Sequence, residues 1–374
     1  MAADGADDAA PGMIYLDYQA TTPLAPEALA AMLPWLESQH ANPHSPHRPG
    51  RAARATVEVA RDAIAALAPA GGSVSFTSGA TEALNWAIKG TTGAIVTLAT
   101  EHAAVLDTVA AEAARGRRVT VLPVGADGLV DLDRAAAAIG PGVGLVAAML
   151  VNNEIGVIQP IDTLAGLAHD AGALMLCDAV QGYGRIPVPA ACDLVAVSAH
   201  KLHGPKGIGA LWIRDGVTLA PLIHGGGQEA AGRSGTLSPA LCAGFGAAAR
   251  LMTERAAADA AHVVRLWAIA TAVLAGWDVN GSVTRRYHGN LNVRRDGLDV
   301  ARLMSECRDL AFSAGSACAS GSGRSSHVLR GLGLTEAQAR SSIRLGFGRY
   351  TGEDELRDGL ASIVAAATRQ GVTA

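Results

Sequence analysis

The sequence predicts an α/β protein whose main sheet is mostly parallel. Short apolar runs alternate with helical patterns from about residue 73 onward, the order expected of right-handed βαβ units. The runs are continuously apolar rather than alternating, as in strands that helices cover on both faces. Hydrophobic residues make up 49% of the chain and aromatic residues only 4%, a composition that suits close helix–strand packing.

Several segments have the length and composition of buried strands, and helical patterns separate most of them. In chain order the predicted strands are SVSFTS (73–78), AIVTLAT (94–100), RVTVLPV (118–124), GLVAAMLV (144–151), ALMLCDA (173–179) and DLVAVSAH (193–200). The first of these strands precedes the helix-like segment TEALNWAIKG, and the second precedes HAAVLDTVAAEAARG.

The length of 374 residues suffices for one large domain and a smaller one. Residues 1–12, MAADGADDAAPG, lack the basic and apolar regions of a targeting peptide, so we expect a disordered tail. Near residue 260 the pattern changes to a long Ala-rich helix (about 251–275), the segment NLNVRRD and further helices. We therefore predict a large domain over 13–258 and a smaller α+β domain over 259–374.

Charge and hydropathy argue against two classes of partner. The formal net charge is -4 and no block of Lys or Arg stands out, so nucleic-acid binding is not indicated. The longest apolar runs, such as 144–151, are too short to span a bilayer. These features favour a cytoplasmic protein that binds neither membrane nor nucleic acid.

The five cysteines include no CxxC pair, and their odd number argues against a disulfide framework. Cys177 and Cys242 lie in apolar sequence and are predicted core residues. Cys318 differs, because it lies in the Gly- and Ser-rich segment SAGSACASGSG (313–323). A thiol in such a surface loop is exposed to oxidation, so its presence calls for a chemical explanation.

Polar residues follow the predicted strands at the edge where an open α/β sheet binds its ligands. Taken singly, each has an ordinary interpretation as a turn, a helix cap, a core histidine or a solvated lysine. GATE (79–82) opens a helix whose free N–H groups, with the Thr81 hydroxyl, form an anion site. The other candidates are His102, Asn152, Asn153, Asp178, Gln181, Lys201 and Lys206.

Together these residues match the needs of pyridoxal 5′-phosphate (PLP). A helix N-terminus suits its phosphate, a carboxylate keeps its pyridine nitrogen protonated, and a lysine forms a Schiff base with its aldehyde. From the pattern alone, Lys201 and Lys206 are both candidates for that lysine. Competing motifs fail in detail: there is no P-loop, HGGG (224–227) has no G-x-S-x-G elbow, and GPKGIG lacks the context of a dinucleotide fingerprint. We expect no metal site.

A set of motifs then follows in the order found in a known family. The motifs resemble those of the group I cysteine desulfurases, the NifS/IscS-like members of the class V aminotransferase family, from about residue 14 to beyond 350. They are YLDYQATTP, FTSGATEALNWAIKG, TEHAAVLDT, VNNEIGVIQP, DAVQGYGRIPV, SAHKLHGPKGIGALW, HGGGQEAAGRSGT, SAGSACAS and SSIRLGFGR.

The resemblance implies a fold-type I PLP-dependent transferase that acts as a homodimer, with a mostly parallel seven-stranded sheet in the large, PLP-binding domain. It implies conversion of L-cysteine to L-alanine, with the sulfur left as a persulfide on a cysteine of the enzyme. An acceptor such as an iron–sulfur scaffold or a thiolation enzyme would then receive that sulfur. Cys318 of SAGSACAS matches the nucleophilic cysteine, so the small domain would carry it.

The matched motifs also imply individual roles. Lys201 of SAHK is the Schiff-base lysine, Asp178 pairs with the pyridine nitrogen, and Gln181 pairs with the phenolic oxygen of the ring. His102 stacks on the ring and acts as general acid/base near the substrate sulfur. The remaining implied contacts are Asn153 and Arg344 with the substrate carboxylate, Ala80, Thr81, Ser198 and His200 with the phosphate, and Thr236 with the phosphate of the partner subunit's cofactor.

The chain departs from the family pattern around the cysteine. Ala314 and Ala319 replace the Ser and Thr of the common SSGSACTS. Alternative functions are selenocysteine lyase or another PLP-dependent β-lyase, kynureninase-like cleavage included, and a non-catalytic sulfur-relay scaffold that has kept the fold. A cysteine in the loop favours L-cysteine as the substrate, and the retained Lys201 and Asp178 favour catalysis.

Overall fold

The computed structural model describes residues 12–229, 232–315 and 325–372. Within these ranges the strands form three sheets, and one 3-10 turn spans Ala199–Lys201. The predicted disordered tail lies outside the described residues except for its last position, and Cys318 also lies outside them.

The strands of the main sheet are short and largely buried, as expected when helices cover both faces. In chain order the strands of the described residues are β1 (Ile14–Tyr15), β2 (Gly72–Thr77), β3 (Ala94–Leu98), β4 (Val119–Leu122), β5 (Val143–Met149), β6 (Leu174–Asp178), β7 (Leu194–Ser198), β8 (Gly209–Arg214), β9 (Asp278–Val279), β10 (Asn290–Arg294), β11 (Leu310–Ala311), β12 (Ser313–Ala314) and β13 (Ser342–Gly346).

Many of the helices begin at a polar residue whose side chain accepts a hydrogen bond from the first turn, as Asp131 does from Asp133 N and Arg134 N. The helices are α1 (Pro26–Glu37), α2 (Arg48–Ala65), α3 (Ala80–Lys89), α4 (Ala103–Ala114), α5 (Leu132–Ala138), α6 (Ile161–Asp170), α7 (Pro239–Glu254), α8 (Ala256–Val273), α9 (Val300–Glu306), α10 (His327–Gly331), α11 (Glu336–Arg340) and α12 (Glu353–Arg369).

The main sheet has seven strands in the order β2-β8-β7-β6-β5-β3-β4. Strand β8 runs antiparallel to both of its neighbours, and the remaining pairs are parallel. The mostly parallel seven-stranded sheet predicted from the sequence is therefore confirmed. Because β2, β3, β5, β6 and β7 point the same way, their carboxyl ends meet at one edge of the sheet.

Alternate side chains of strand β5 enter different hydrophobic cores. In β5, Val146 and Ala148 pack with helices α1, α2, α6 and α7, whereas Leu145 and Ala147 pack with α3 and α4. Both sets are apolar, so β5 lacks the apolar–polar alternation of a half-exposed strand. The continuous apolar runs of the sequence thus have a direct physical cause.

A second core lies over the smaller sheets. Strands β12, β13, β10 and β9 form an antiparallel sheet in that order, and helices α8, α9 and α12 contribute to its core. Strand β1 pairs in parallel with β11, and Leu16, which follows β1, is buried in the same second core. The domain ranges 13–258 and 259–374 stay a prediction, and this contact shows that the start of the chain packs with its carboxyl-terminal part.

Helices α7 and α8 replace the single helix expected over about 251–275. They are separated at Arg255, whose φ of -104° and ψ of 3° leave the helical range. By length and composition alone, α8 is apolar enough to cross a bilayer. However, its Asp259 pairs with Arg349 and its Arg265 pairs with Glu353, so both charges are matched by the carboxyl-terminal part of the chain.

Candidate active site

The carboxyl ends of the parallel strands bring candidate residues from distant parts of the sequence to one rim. Asp178 is the last residue of β6, and Asn153 lies in the turn after β5. Lys201 ends the 3-10 turn that follows β7. His102 follows β3 and caps α4, with its Nδ1 accepting a hydrogen bond of 3.0 Å from Ala104 N. Local capping and strand ends thus explain how these side chains are placed.

The Lys201 amine is directed into the protein rather than into solvent. Its Nζ donates hydrogen bonds to the carbonyls of Gln19 and Ala20, the latter at 2.8 Å. Burial lowers the pKa of this amine from 10.5 to about 8, and the nearby Arg344 guanidinium adds to the shift. A lysine of this kind has more of the neutral, nucleophilic form near neutral pH. Lys206, by contrast, is exposed.

Asp178 is a buried carboxyl group at the floor of the rim. Its Oδ1 accepts a hydrogen bond of 3.0 Å from Val180 N. Burial raises the pKa of Asp178, while this hydrogen bond and the charges of His102 and Lys201 act in the opposite direction. A cation beside the carboxyl group, such as a protonated pyridine nitrogen, would favour its ionised form.

A space suited to a phosphate group lies at the start of α3. No side chain caps this helix at Gly79, so its first N–H groups are available to an anion. A Cβ on Gly79 would meet only Ser198 Oγ, at 3.9 Å. Gly209 of β8 pairs with both Thr77 and Ser198, and a Cβ there would lie 2.7 Å from the Gly79 main chain. The absence of a side chain at Gly209 therefore allows this close approach.

The predicted phosphate contacts flank that space. Ala80 and Thr81 form the first turn of α3, and Ser198 ends β7. His200 follows, with its Nδ1 hydrogen-bonded to Thr21 Oγ1 at 3.1 Å. Burial lowers the pKa of His200 to about 4, so its imidazole is neutral at physiological pH.

Gln181 lies beside the lysine, whereas Thr236 does not contact the rim. The Nε2 of Gln181 donates a 3.0 Å hydrogen bond to the carbonyl of Gln19, which also accepts from Lys201. Thr236 is exposed, and its side chain makes no hydrogen bond to the part of the chain that the structure describes.

Arg344 reaches the rim from the smaller sheet. It lies in β13 and is buried, and its Nη1 donates a 3.1 Å hydrogen bond to the carbonyl of Asn153. Its Nη2 donates to Asp17 Oδ1 at 2.8 Å and to Ser313 Oγ at 3.1 Å. Its Nε has no partner among the described residues, which leaves a donor for an incoming carboxylate. Arg344 and Asn153, the two residues predicted to bind the substrate carboxylate, are thus in contact, although they come from different sheets.

The residues on either side of the Cys318 segment attach to the same rim. Upstream, Ser313 lies in β12 and contacts Arg344. Downstream, Ser326 Oγ donates a hydrogen bond to Glu154 Oε2, and Glu154 lies in the turn after β5. Cys318 itself lies outside the described residues, but both flanks of its segment are held at this edge of the sheet.

Three acidic residues of the site were not identified from the sequence: Asp17, Glu101 and Glu154. Each lies in one of the family-like motifs just after a strand, where an acid is costly to bury without a partner, and that signal could have identified them. Glu101 is fully buried, and its Oε1 accepts a 2.9 Å hydrogen bond from Met149 N. Burial, with the neighbouring Asp178 carboxyl group, raises the pKa of Glu101 well above its usual value.

Similar proteins share these motifs and this fold. The aminotransferase class-V family model matches residues 14–358. "Cysteine desulfurase IscS" of Rickettsia bellii is 42% identical over 362 residues, which cover 92% of this chain and 88% of that protein.

Two solved structures agree with this match. A "NIFS-LIKE PROTEIN" superposes with a TM-score of 0.86 at 30% identity, covering 94% of this chain and 98% of that chain. "SspA in complex with cysteine" superposes with a TM-score of 0.80 at 33% identity, covering 91% of this chain and 100% of that chain. The chain therefore belongs to the class-V aminotransferase family and, within it, to the NifS/IscS-like cysteine desulfurases.

Proposed function

We propose that the protein is a PLP-dependent cysteine desulfurase, which converts L-cysteine to L-alanine and retains the sulfur as a persulfide on Cys318. The family is PLP-dependent. The observation that carries the proposal is the meeting, at one rim, of a half-buried lysine of lowered pKa, Lys201, with the buried carboxyl group of Asp178. Arg344 completes the rim with an unpartnered donor for the substrate carboxylate.

The donor set fits the cofactor. Asp178 would pair with the pyridine nitrogen, Lys201 would bond to the aldehyde carbon, and the space between Gly79 and Ser198 would receive the phosphate. When bound, the cofactor supplies an electron sink for the negative charge that develops at the substrate Cα.

The protein residues then bind the substrate and move its protons. Arg344, with the neighbouring Asn153, holds the substrate carboxylate in one orientation. The Lys201 amine, whose pKa is lowered to about 8, removes the Cα proton. His102 exchanges a proton near the substrate sulfur.

The sulfur transfer is a two-electron displacement at the substrate sulfur. The Cys318 thiolate attacks this sulfur, so that an S–S bond forms while the Cβ–S bond breaks. The electron pair of the broken bond stays with the carbon fragment, and protonation of Cβ gives the methyl group of alanine. L-cysteine and the enzyme thiol are thereby converted to L-alanine and the enzyme persulfide, and the persulfide passes its outer sulfur to an acceptor.

We further propose that the protein acts as a cytoplasmic homodimer that delivers sulfur to an acceptor such as an iron–sulfur scaffold. The exposed Thr236 is available to reach the cofactor phosphate of a second subunit. Helix α1 exposes Leu29, Leu33 and Leu36, an apolar surface of the kind that a second copy can bury. Light scattering should give the mass of two chains, and a monomer would contradict the dimer.

The central experiment tests Cys318 against another cysteine of the chain. Incubation of the purified holoenzyme with L-cysteine should yield L-alanine and a protein mass increased by one sulfur atom. The variant Cys318→Ser should keep the cofactor absorbance but lose both products. The matched control Cys307→Ser alters a thiol buried in the second core and should retain both products. Desulfuration by Cys318→Ser at the wild-type rate would contradict the assignment.

A further inference from the structure

We propose that Asp17 is a positioning residue, which holds the Arg344 guanidinium and the Ser313 hydroxyl on a single carboxylate oxygen. It thereby sets the orientation of the substrate-carboxylate donor and ties the start of the Cys318 segment to it. This inference rests on the proposed function, because it assigns a role within the same site. Its test includes a measurement of ligand binding that does not depend on desulfuration.

Three side chains form a closed hydrogen-bonded triangle. Asp17 Oδ1 accepts from Arg344 Nη2 at 2.8 Å and from Ser313 Oγ at 2.9 Å. Arg344 Nη2 also donates to Ser313 Oγ at 3.1 Å. The serine hydroxyl thus donates its one hydrogen to the carboxylate and accepts from the guanidinium. Ser313 and Arg344 are also register partners in the paired strands β12 and β13, so the strand pairing holds their side chains next to each other.

The triangle determines where Nε, the one unpartnered nitrogen of Arg344, points. The guanidinium is planar, so hydrogen bonds at two of its nitrogens fix the direction of the third. Nη2 is held by Asp17 and Ser313, and Nη1 is held by the carbonyl of Asn153. The unpartnered Nε–H is therefore oriented before substrate arrives, which reduces the entropy lost on binding.

Asp17 also supplies the negative charge that pairs with the Arg344 guanidinium. Arg344 is 1% exposed and Asp17 is 19% exposed, and a guanidinium so deeply buried requires a negative partner. At Lys201 the two charges act in opposite directions, since Arg344 lowers the pKa of the amine and Asp17 raises it. Loss of the Asp17 charge should therefore shift the titration of Lys201 to lower pH, an effect that a purely structural residue would not produce.

A second ion pair provides a matched control. Asp259 and Arg349 are joined at 2.6 Å, with side-chain exposures of 18% and 3%. The Asp17–Arg344 pair is joined at 2.8 Å, with exposures of 19% and 1%. Removing either aspartate leaves a buried arginine without its carboxylate, so the general cost to stability is comparable. Of the two aspartates, only Asp17 contacts Arg344, the proposed hydrogen-bond donor to the substrate carboxylate.

The test compares Asp17→Ala, Asp17→Asn and Asp259→Ala as holoenzymes. L-alanine, the product, is titrated while the cofactor absorbance is followed, and KM and kcat for L-cysteine are measured separately. Asp17→Ala should weaken L-alanine binding and raise KM by roughly tenfold or more, with a smaller change in kcat, because a positioned charge-assisted contact is lost. Asp17→Asn keeps an acceptor oxygen and should lose less affinity.

The charge effect has its own measurement. After removal of the cofactor from the full chain, the rate of PLP rebinding is recorded against pH. In Asp17→Asn this profile should move to lower pH than in the wild type, and in Asp259→Ala it should not move. An unchanged profile in Asp17→Asn would overturn the charge-balancing part of the proposal.

Other outcomes separate positioning from folding and from function. If Asp17→Ala binds L-alanine like the wild type, or if Asp259→Ala weakens binding equally, Asp17 is not a positioning residue. If the wild type binds L-alanine but does not form L-alanine from L-cysteine, the proposed function is wrong. The comparison of L-alanine binding between the variants still tests the role of Asp17 in that case. Should Asp17→Ala fail to fold, Ser313→Ala removes two of the three hydrogen bonds of the triangle and should likewise raise KM.

Discussion

Arg344 donates a 2.8 Å hydrogen bond to Asp17, although 327 positions separate the two residues in the sequence. Among the described residues, Asp17 follows the first strand, β1, and Arg344 lies in the last strand, β13. Their ion pair lies at the proposed substrate-carboxylate end of the site, while the large sheet contributes Lys201 and Asp178. The candidate active site is therefore assembled from both cores, and neither part of the chain contains it alone.

Retention of the cofactor should distinguish the two candidate lysines. Lys201→Ala should abolish the visible absorbance of bound PLP, because the described residues place no other lysine shielded from solvent at the rim. Lys206→Ala alters an exposed lysine of the same loop and should leave the spectrum unchanged. A Lys201→Ala protein that still carried covalently bound PLP would contradict the assignment.

Cofactor rebinding should depend on pH through the Lys201 amine. Only the neutral amine attacks an aldehyde, and the pKa of this amine is lowered to about 8. The rebinding rate of the cofactor-free protein should therefore rise with pH and level off above about 8. In Arg344→Gln the plateau should move to higher pH, since Arg344 lowers the pKa. A wild-type rate that keeps rising to pH 10 would indicate an unperturbed lysine.

Asp178→Asn should reduce activity yet stabilise the cofactor-free protein at neutral pH. Burial raises the pKa of Asp178 above its unfolded value, so its contribution to stability is full at low pH and is lost as pH rises through the folded pKa. Near pH 7.5 the amide should therefore add on the order of 1 kcal/mol to the free energy of unfolding. Urea denaturation should show this gain shrinking toward pH 4.

The same substitution should have the opposite effect on function. Without a carboxylate beside it, the pyridine nitrogen is no longer held protonated, and desulfuration should fall by roughly a hundredfold or more. Activity at the wild-type level in Asp178→Asn would show that the residue does not serve the cofactor.

Gly209→Ala should weaken PLP binding through the phosphate space. The added Cβ would lie 2.5 Å from the Val197 carbonyl and 2.7 Å from the Gly79 main chain, so the start of α3 must shift. We expect a higher dissociation constant for PLP and a lower melting temperature. Gly166→Ala is the control, because Gly166 is exposed within α6 and its Cβ meets nothing within 4 Å. That variant should gain about 0.5–1 kcal/mol and bind PLP normally.

Several features of the fold were predictable because they are recorded locally. Burial of a parallel strand on both faces requires a continuous apolar run, and β5 shows it. The carboxyl ends of such strands define a ligand edge, so the sequence alone groups His102, Asp178 and Lys201. Their roles toward the cofactor and substrate stay predictions, as does that of Cys318, which lies outside the described residues.

Other local features were not predictable. The break at Arg255 between α7 and α8 depends on the dihedral angles of a single residue inside an Ala-rich stretch that otherwise favours helix. The two-residue strand β1 is too short for any periodicity, so its pairing with β11 could not be read from the sequence.

The sequence by itself determined the fold class, the rim and the family, because strand burial, helix starts and ordered motifs are written in neighbouring residues. Only the tertiary structure decided which charged groups are shielded from solvent and which of them are in contact. It withdrew most of the Lys201 side chain from solvent and left Lys206 exposed. That withdrawal lowers the pKa of Lys201, since desolvation disfavours a charged amine. It also joined Asp17 to Arg344, because only the folded chain brings two such distant charges out of water to within 2.8 Å.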